Sequence, residues 1–172
     1  KESASIDDLL ATCKGELDIT PLPMTRTIKD GGQIQGVIDL LQQSVIQSRP
    51  DSGKWQPQPI SEGDKGFVAE ARKRIQEAAA ETDDQLLEQY LSAGELTPAD
   101  LMRGLRLGVQ AGTVVPLYTG SAVKNVGIVP LLNAMVEFLP GPTERAVRRP
   151  LTGHLPDGNQ GVSRQATTVS PF

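Results

Sequence analysis

The stretch Gly120-Ser121-Ala122-Val123-Lys124-Asn125-Val126-Gly127 lies between a short apolar run, residues 113–119, and a segment of helical periodicity, residues 128–139. A loop so placed leaves the carboxyl end of a strand and feeds a helix, which is where open α/β sheets bind their ligands. Its chemistry would be that of backbone N–H groups turned toward a hydrogen-bond acceptor. Taken alone, Ser-Ala-x-Lys is equally the sequence of an ordinary βα turn. A second group of candidates is acidic. Glu70, Glu77, Glu81, Asp84 and Glu88 recur on one face of a helix predicted over residues 67–92, with Arg74 interrupting them. From Glu77 to Asp100 there are further acids and neither a Lys nor an Arg. Stacked like charges cost a helix a few tenths of a kcal/mol per pair, which a basic partner would offset. A solvated helix face has the same pattern.

Other chemistries are excluded. The chain has no G-x-x-x-x-G-K-[ST] phosphate cradle, no Asn-Lys-x-Asp element for the guanine edge, and no Ser/His/Asp order of a triad. One Cys and one His, Cys13 and His154, cannot make a zinc cluster, and a single cysteine forms no internal disulfide. Cys13 reads as a small buried thiol. Gly31-Gly32 reads as a hairpin turn rather than a phosphate loop.

The elements that must position these residues follow from periodicity and turn chemistry. Residues 5–17 read as a helix, with Ser5 and Asp8 in capping-box spacing and Ile6, Leu9, Leu10, Cys13 and Leu17 on one face. Residues 19–28 and 35–48 read as strands, the second too apolar to be exposed, and 49–66 as a surface loop that Trp55 would pin. Gly94 ends the 67–92 helix or helix pair. Thr97-Pro98-Ala99-Asp100 starts another that runs to Gly112. A strand, 113–119, and a helix, 128–139, with Leu131, Leu132, Met135, Val136 and Leu139 at helical spacing, complete a mixed α/β fold. From Pro140, glycines and prolines break all periodicity, and residues 141–165 read as a linker.

Net charge is −4 over 172 residues and aromatics are 3%, which argues against a general nucleic-acid surface, DNA included. No apolar run is long enough to span a membrane. The chain begins with Lys1 and ends at Phe172 directly after Pro171, as expected of an internal piece of a longer polypeptide.

The string Gly120-Ser121-Ala122-Val123-Lys124-Asn125-x-Gly127, followed by Pro130-Leu131-Leu132-Asn133-Ala134 and Phe138-Leu139-Pro140, resembles the end of the GTP-binding domain of elongation factor G. Residues 80–91, Ala-Glu-Thr-Asp-Asp-Gln-Leu-Leu-Glu-Gln-Tyr-Leu, resemble that family's inserted subdomain, as do Gly36-Val37-Ile38-Asp39-Leu40 and Pro21-Leu22-Pro23-Met24. The likeness is colinear over roughly residues 16–140.

The resemblance implies an α/β fragment of a P-loop GTPase. Residues 1–17 and 113–140 would be the C-terminal part of the GTP-binding domain, 18–112 the insert, and 166–172 the start of a following β-barrel domain. Ser121, Ala122 and Lys124 would form the last guanine-reading motif: Ala122 donates its N–H to guanine O6, Ser121 braces the loop, and Lys124 stands beside it. GTP or GDP and Mg²⁺ would be held largely by segments before Lys1, so no catalytic residue is expected in this chain. The parent would couple GTP hydrolysis to translocation on the ribosome, in the cytoplasm. Glu77, Glu81 and Asp84 match the positions through which the family meets the ribosomal stalk protein. Two alternatives stay open: a paralogous ribosome-directed GTPase of the ribosome-protection or release/recycling type, and a free-standing acidic protein-binding module.

Overall fold

In the computed structural model, residues 5–30, 33–47, 57–148, 151–154 and 161–164 are described. The chain divides into two units, residues 1–138 and 139–172.

The first unit opens with α1 (Ile6–Leu17). The strand expected over 19–28 is two strands, β1 (Pro21–Pro23) and β2 (Thr25–Asp30). The strand expected over 35–48 is also two, β3 (Gln33–Asp39) and β4 (Ser44–Gln47). Asp39 makes that break. Its Oδ1 accepts the N–H groups of Leu41 and Gln42, both at 2.9 Å, which turns the chain, and Gln43 takes the left-handed conformation at φ 52°. β2, β3 and β4 form an antiparallel sheet in that order, with a register shift at Ile28/Lys29. β2 and β3 are paired up to Asp30 and Gln33, as expected of a hairpin. Gly31 and Gly32 lie outside the described residues, as does Trp55.

The helix or helix pair predicted over 67–92 starts earlier and is the pair α2 (Glu62–Ala80) and α3 (Asp84–Ala93). Asp83 sets the break. It is extended at φ −155°, and its carboxylate caps α3 by accepting from Gln85 N at 3.1 Å and Leu86 N at 3.2 Å. Such a cap contributes about 1 kcal/mol. Gly94, at φ 79°, closes α3. α4 (Pro98–Ala111) has the expected Thr97 cap, Pro at the first position and Gly112 at the end. β5 (Val115–Leu117) and α5 (Ile128–Phe138) follow.

The core is one buried cluster drawn from α2, α3, α4 and the end of β3. Ile38, Leu40, Ile75, Ala79, Leu86, Leu101 and Leu105 are all buried there. α4 approaches α2 closely because it presents Gly104, where a Cβ would sit 2.5 Å from the Ala79 carbonyl oxygen. Gln76 is buried, and its Oε1 accepts the Leu96 N–H at 2.9 Å, tying the loop before α4 to α2. Phe67, read as part of the apolar stripe, is partly exposed and is covered by the Arg26 guanidinium, 4.1 Å from its ring centre.

β1 and β5 pair in parallel, Pro21 with Val115, Leu22 with Pro116 and Pro23 with Leu117. Three of these six residues are prolines, which cannot donate to the ladder. Met24 N–H, donating to Leu117 O at 2.9 Å, extends the contact past the end of β1.

In the second unit, the segment read as a linker holds α6 (Pro142–Arg148) and a hairpin of β6 (Leu151–His154) with β7 (Gly161–Arg164). Residues 166–172 lie outside the described residues. Among the described residues no helix is long and apolar enough to cross a membrane.

Candidate functional site

The loop from β5 to α5 is closed on itself. Ser121 and Val126 exchange both backbone hydrogen bonds, each 2.9 Å. Between them the Asn125 N–H donates to Ala122 O at 3.2 Å, and Asn125 is left-handed at φ 52°. Ser121 Oγ accepts the Lys124 N–H at 3.4 Å. The two flanking glycines are required by space. A Cβ at Gly120 would lie 2.3 Å from Val126 O, and one at Gly127 would lie 2.6 Å from Thr119 O, with φ there at 76°. Val126 is buried and anchors the loop, whereas Ala122, Val123 and Lys124 are exposed at its tip.

The three loop residues singled out from the sequence are thus together on one tight turn. Ser121 is in the rung that closes it, and Ala122 is at its tip. The Lys124 side chain reaches sideways, its Nζ donating to Gln33 Oε1 at 2.7 Å. Sequence reasoning missed the support under the loop. Thr25, which is 2% exposed, accepts the Thr119 N–H at 2.8 Å on its Oγ1, and the two threonine hydroxyls are 3.2 Å apart. Their separation of 94 positions hides that contact from any local pattern.

Asp39, Met102, Tyr118, Asn133 and Glu137 line a cleft of about 480 Å³. Burial raises the Asp39 carboxyl above the ordinary carboxylate range, against the lowering effect of its bonds from Gln42 and Leu41 and of the nearby Arg72 charge. Burial, with the Asp39 charge adding to it, also pushes the Tyr118 phenol up, which keeps it protonated. The Arg72 guanidinium, which donates to Leu41 O at 2.6 Å, is lowered by the same desolvation.

The acidic positions do not form one continuous helix face, because the chain turns at Glu81-Thr82-Asp83. Glu77 is on the last turns of α2 and faces Lys73 at 3.8 Å. Glu81 caps the C-terminus of α2, and Asp84 opens α3. Glu70 pairs with Arg74 at 2.6 Å. Pairs this exposed contribute little to stability. Cys13 is half-buried in α1 rather than buried.

No protein-family model matches the chain. Among solved structures it is similar to the crystal structure of ttk003000868 from Thermus thermophilus. The TM-score is 0.73 with 29% identity, over 87% of this chain and 22% of that one. The chain therefore spans about a fifth of the length of that protein.

Proposed function

We propose that this chain is the closing part of the nucleotide-binding domain of an elongation factor G-like translational GTPase, together with that domain's inserted subdomain. The observation that carries the reading is the closed loop at the end of β5, with Ala122 at its exposed tip and Ser121 in the rung beneath it. That shape suits the recognition of a carbonyl oxygen on the edge of a planar base. The loop supplies base contacts alone. Phosphates and Mg²⁺ would be held by residues outside this chain, and GTP hydrolysis with ribosomal translocation in the cytoplasm would belong to the whole protein.

Two further features support an incomplete sheet. A two-stranded parallel pair is unusual, since parallel sheets are found with helices on both faces. α5 also buries Pro130, Ala134 and Phe138, while Leu132, Met135 and Val136, read from the sequence as its apolar stripe, are exposed. Leu9 and Leu17 of α1 are exposed as well. The rest of a larger α/β domain would cover such faces.

The test is nucleotide affinity. In the polypeptide that also carries the phosphate cradle, Ala122→Leu is expected to weaken GDP and GTP alike, because the base is common to both. Loss of hydrolysis with unchanged affinity would remove the role assigned to Ala122. The 172-residue chain alone is expected to show no saturable micromolar binding in a fluorescent-nucleotide titration. One or two hydrogen bonds of about 0.5–1.5 kcal/mol each fall far short of the roughly 8 kcal/mol that micromolar affinity requires.

The partner in this reading is the ribosome, with its stalk protein docking at Glu77, Glu81 and Asp84. The turn at residues 81–83 places these acids around the junction of α2 and α3, and charge attraction there would mainly raise an association rate. Changing all three to lysine is expected to abolish a salt-sensitive chemical-shift response of the basic stalk domain while leaving the circular dichroism of the chain unchanged. Equal responses from both proteins, or a response indifferent to salt, would return these residues to the solvated surface.

A further inference from the structure

We infer that Thr25 is a specificity-determining positioning residue for the 120–127 loop, and that the β2–β3 hairpin is the jig against which this loop is set. The inference rests on the base-reading role proposed above and deepens it. A loop that discriminates one exocyclic group on a base must hold its donor to within a fraction of an ångström. The closing rung between Ser121 and Val126 fixes the loop's shape but not its position. Position comes from outside the loop, at three points on the hairpin.

The first point is the buried one. Thr25 Oγ1 accepts the N–H of Thr119 at 2.8 Å, and Thr119 Oγ1 lies 3.4 Å from Thr25 O, so both ends of the threonine pair are engaged one residue before Gly120. The second is packing. Val37 Cγ1 of β3 lies 3.2 Å from where a Cβ on Gly127 would be, at the other foot of the loop. The third is the exposed bond from Lys124 Nζ to Gln33 Oε1 at the start of β3. Thr25 is at the start of β2, and Gln33 and Val37 are on β3, so one hairpin touches both feet and the side of the loop. Of the two hydrogen bonds, that of Thr25 is the shielded one, where a hydrogen-bonding group left without a partner is costly. Thr25→Val keeps the shape of the side chain and removes the hydroxyl. It leaves the Thr119 N–H without its acceptor. Thr25→Ser keeps the hydroxyl and loses a methyl group.

The experiment has two arms. In the 172-residue chain, amide hydrogen exchange at Ser121 and Val126 is expected to accelerate about tenfold in Thr25→Val, the factor that corresponds to about 1.4 kcal/mol, and to return toward wild type in Thr25→Ser. The Leu105 amide in the core is expected to be unaffected. Unchanged exchange at the loop, or equal acceleration at Leu105, overturns the positioning role. In the polypeptide that carries the phosphate cradle, the readout is the ratio of affinities for GDP and 6-thioguanosine diphosphate, which replaces the O6 acceptor by a weaker one. The ratio is expected to narrow in Thr25→Val and recover in Thr25→Ser. A wild-type ratio that stays wide in Thr25→Val overturns the specificity role. A wild-type protein that does not distinguish the two nucleotides overturns the base-reading assignment itself, and the exchange arm then decides separately whether the hairpin sets the loop.

Discussion

Gly127→Ala is expected to lower the unfolding free energy by about 2–5 kcal/mol, the sum of backbone strain and overpacking at one position. Two costs coincide there. Residue 127 has φ 76°, a conformation that side chains with a Cβ rarely adopt, and the added carbon would lie 2.6 Å from Thr119 O and 3.1 Å from Gly120 Cα. Backbone atoms on both sides cannot swing aside as a flexible side chain would, so the feet of the loop must part. Gly94→Ala separates the two costs. Gly94 has nearly the same φ, 79°, and nothing within 4 Å of its would-be Cβ, so it bears the strain without the collision and is expected to cost about 1 kcal/mol. Urea unfolding followed by circular dichroism gives both values. Equal losses at the two glycines would mean that the loop yields to a side chain, and that its closed form is not enforced by contact with Thr119.

The second large effect belongs to the core. Ile75→Ala is expected to cost about 2–5 kcal/mol, the range for removing a large aliphatic side chain from a site that cannot fully collapse. Ile75 is 0% exposed, on α2 within the cluster that includes Ile38, Leu86, Leu101 and Leu105. Phe67→Ala on the same helix serves as comparison. Phe67 is 43% exposed, and its ring is in contact with the Arg26 guanidinium, so its loss is expected to cost about 1 kcal/mol, the size of an exposed cation–π contact. If Phe67 proved the costlier of the two, the folding free energy would be concentrated on the outer side of α2, opposite to the burial.

Where signals are local, the sequence was readable. Thr97, Pro98 and Asp100 mark the start of α4, and Gly94 and Gly112 mark helix ends, because capping is decided within a single turn. The loop at 120–127 was also legible, since glycines bracket a polar stretch between two apolar ones. Two aspartates set breaks that the same reasoning did not place. Asp39 stands in an apolar run that reads as continuous strand, and Asp83 stands in a charged run that reads equally as one helix or a helix pair. Each breaks its element by turning a carboxylate onto the backbone N–H groups that follow. An aspartate's choice between solvent and backbone leaves no mark in periodicity. The segment after Pro140 was opaque for another reason. Its glycines and prolines mask the short strands Leu151–His154 and Gly161–Arg164, which are too brief for alternation to show. Amphipathicity placed α5 correctly but did not say which face would be covered. Leu132, Met135 and Val136 are on the exposed side, and Ala134 and Phe138 are on the buried one.

The pairing of β1 with β5 also bears on the order in which the molecule assembles. Pro21 and Val115 are partners, as are Thr25 and Thr119, so the whole of the antiparallel sheet and α2, α3 and α4 lies within the closed segment. Closing a chain costs more as it lengthens, about 0.6 kcal/mol for each doubling. Contacts such as Gln76 with Leu96, 20 positions apart, and the β2–β3 and β3–β4 ladders close much shorter loops. The helices and the hairpin can therefore form early, while the parallel pair waits until they have brought its ends together. On this route the 120–127 loop is expected to take its place last. By the same reasoning it is expected to be released first on unfolding, so a partly opened population would keep its helices and lose the one turn for which the base-reading role is proposed.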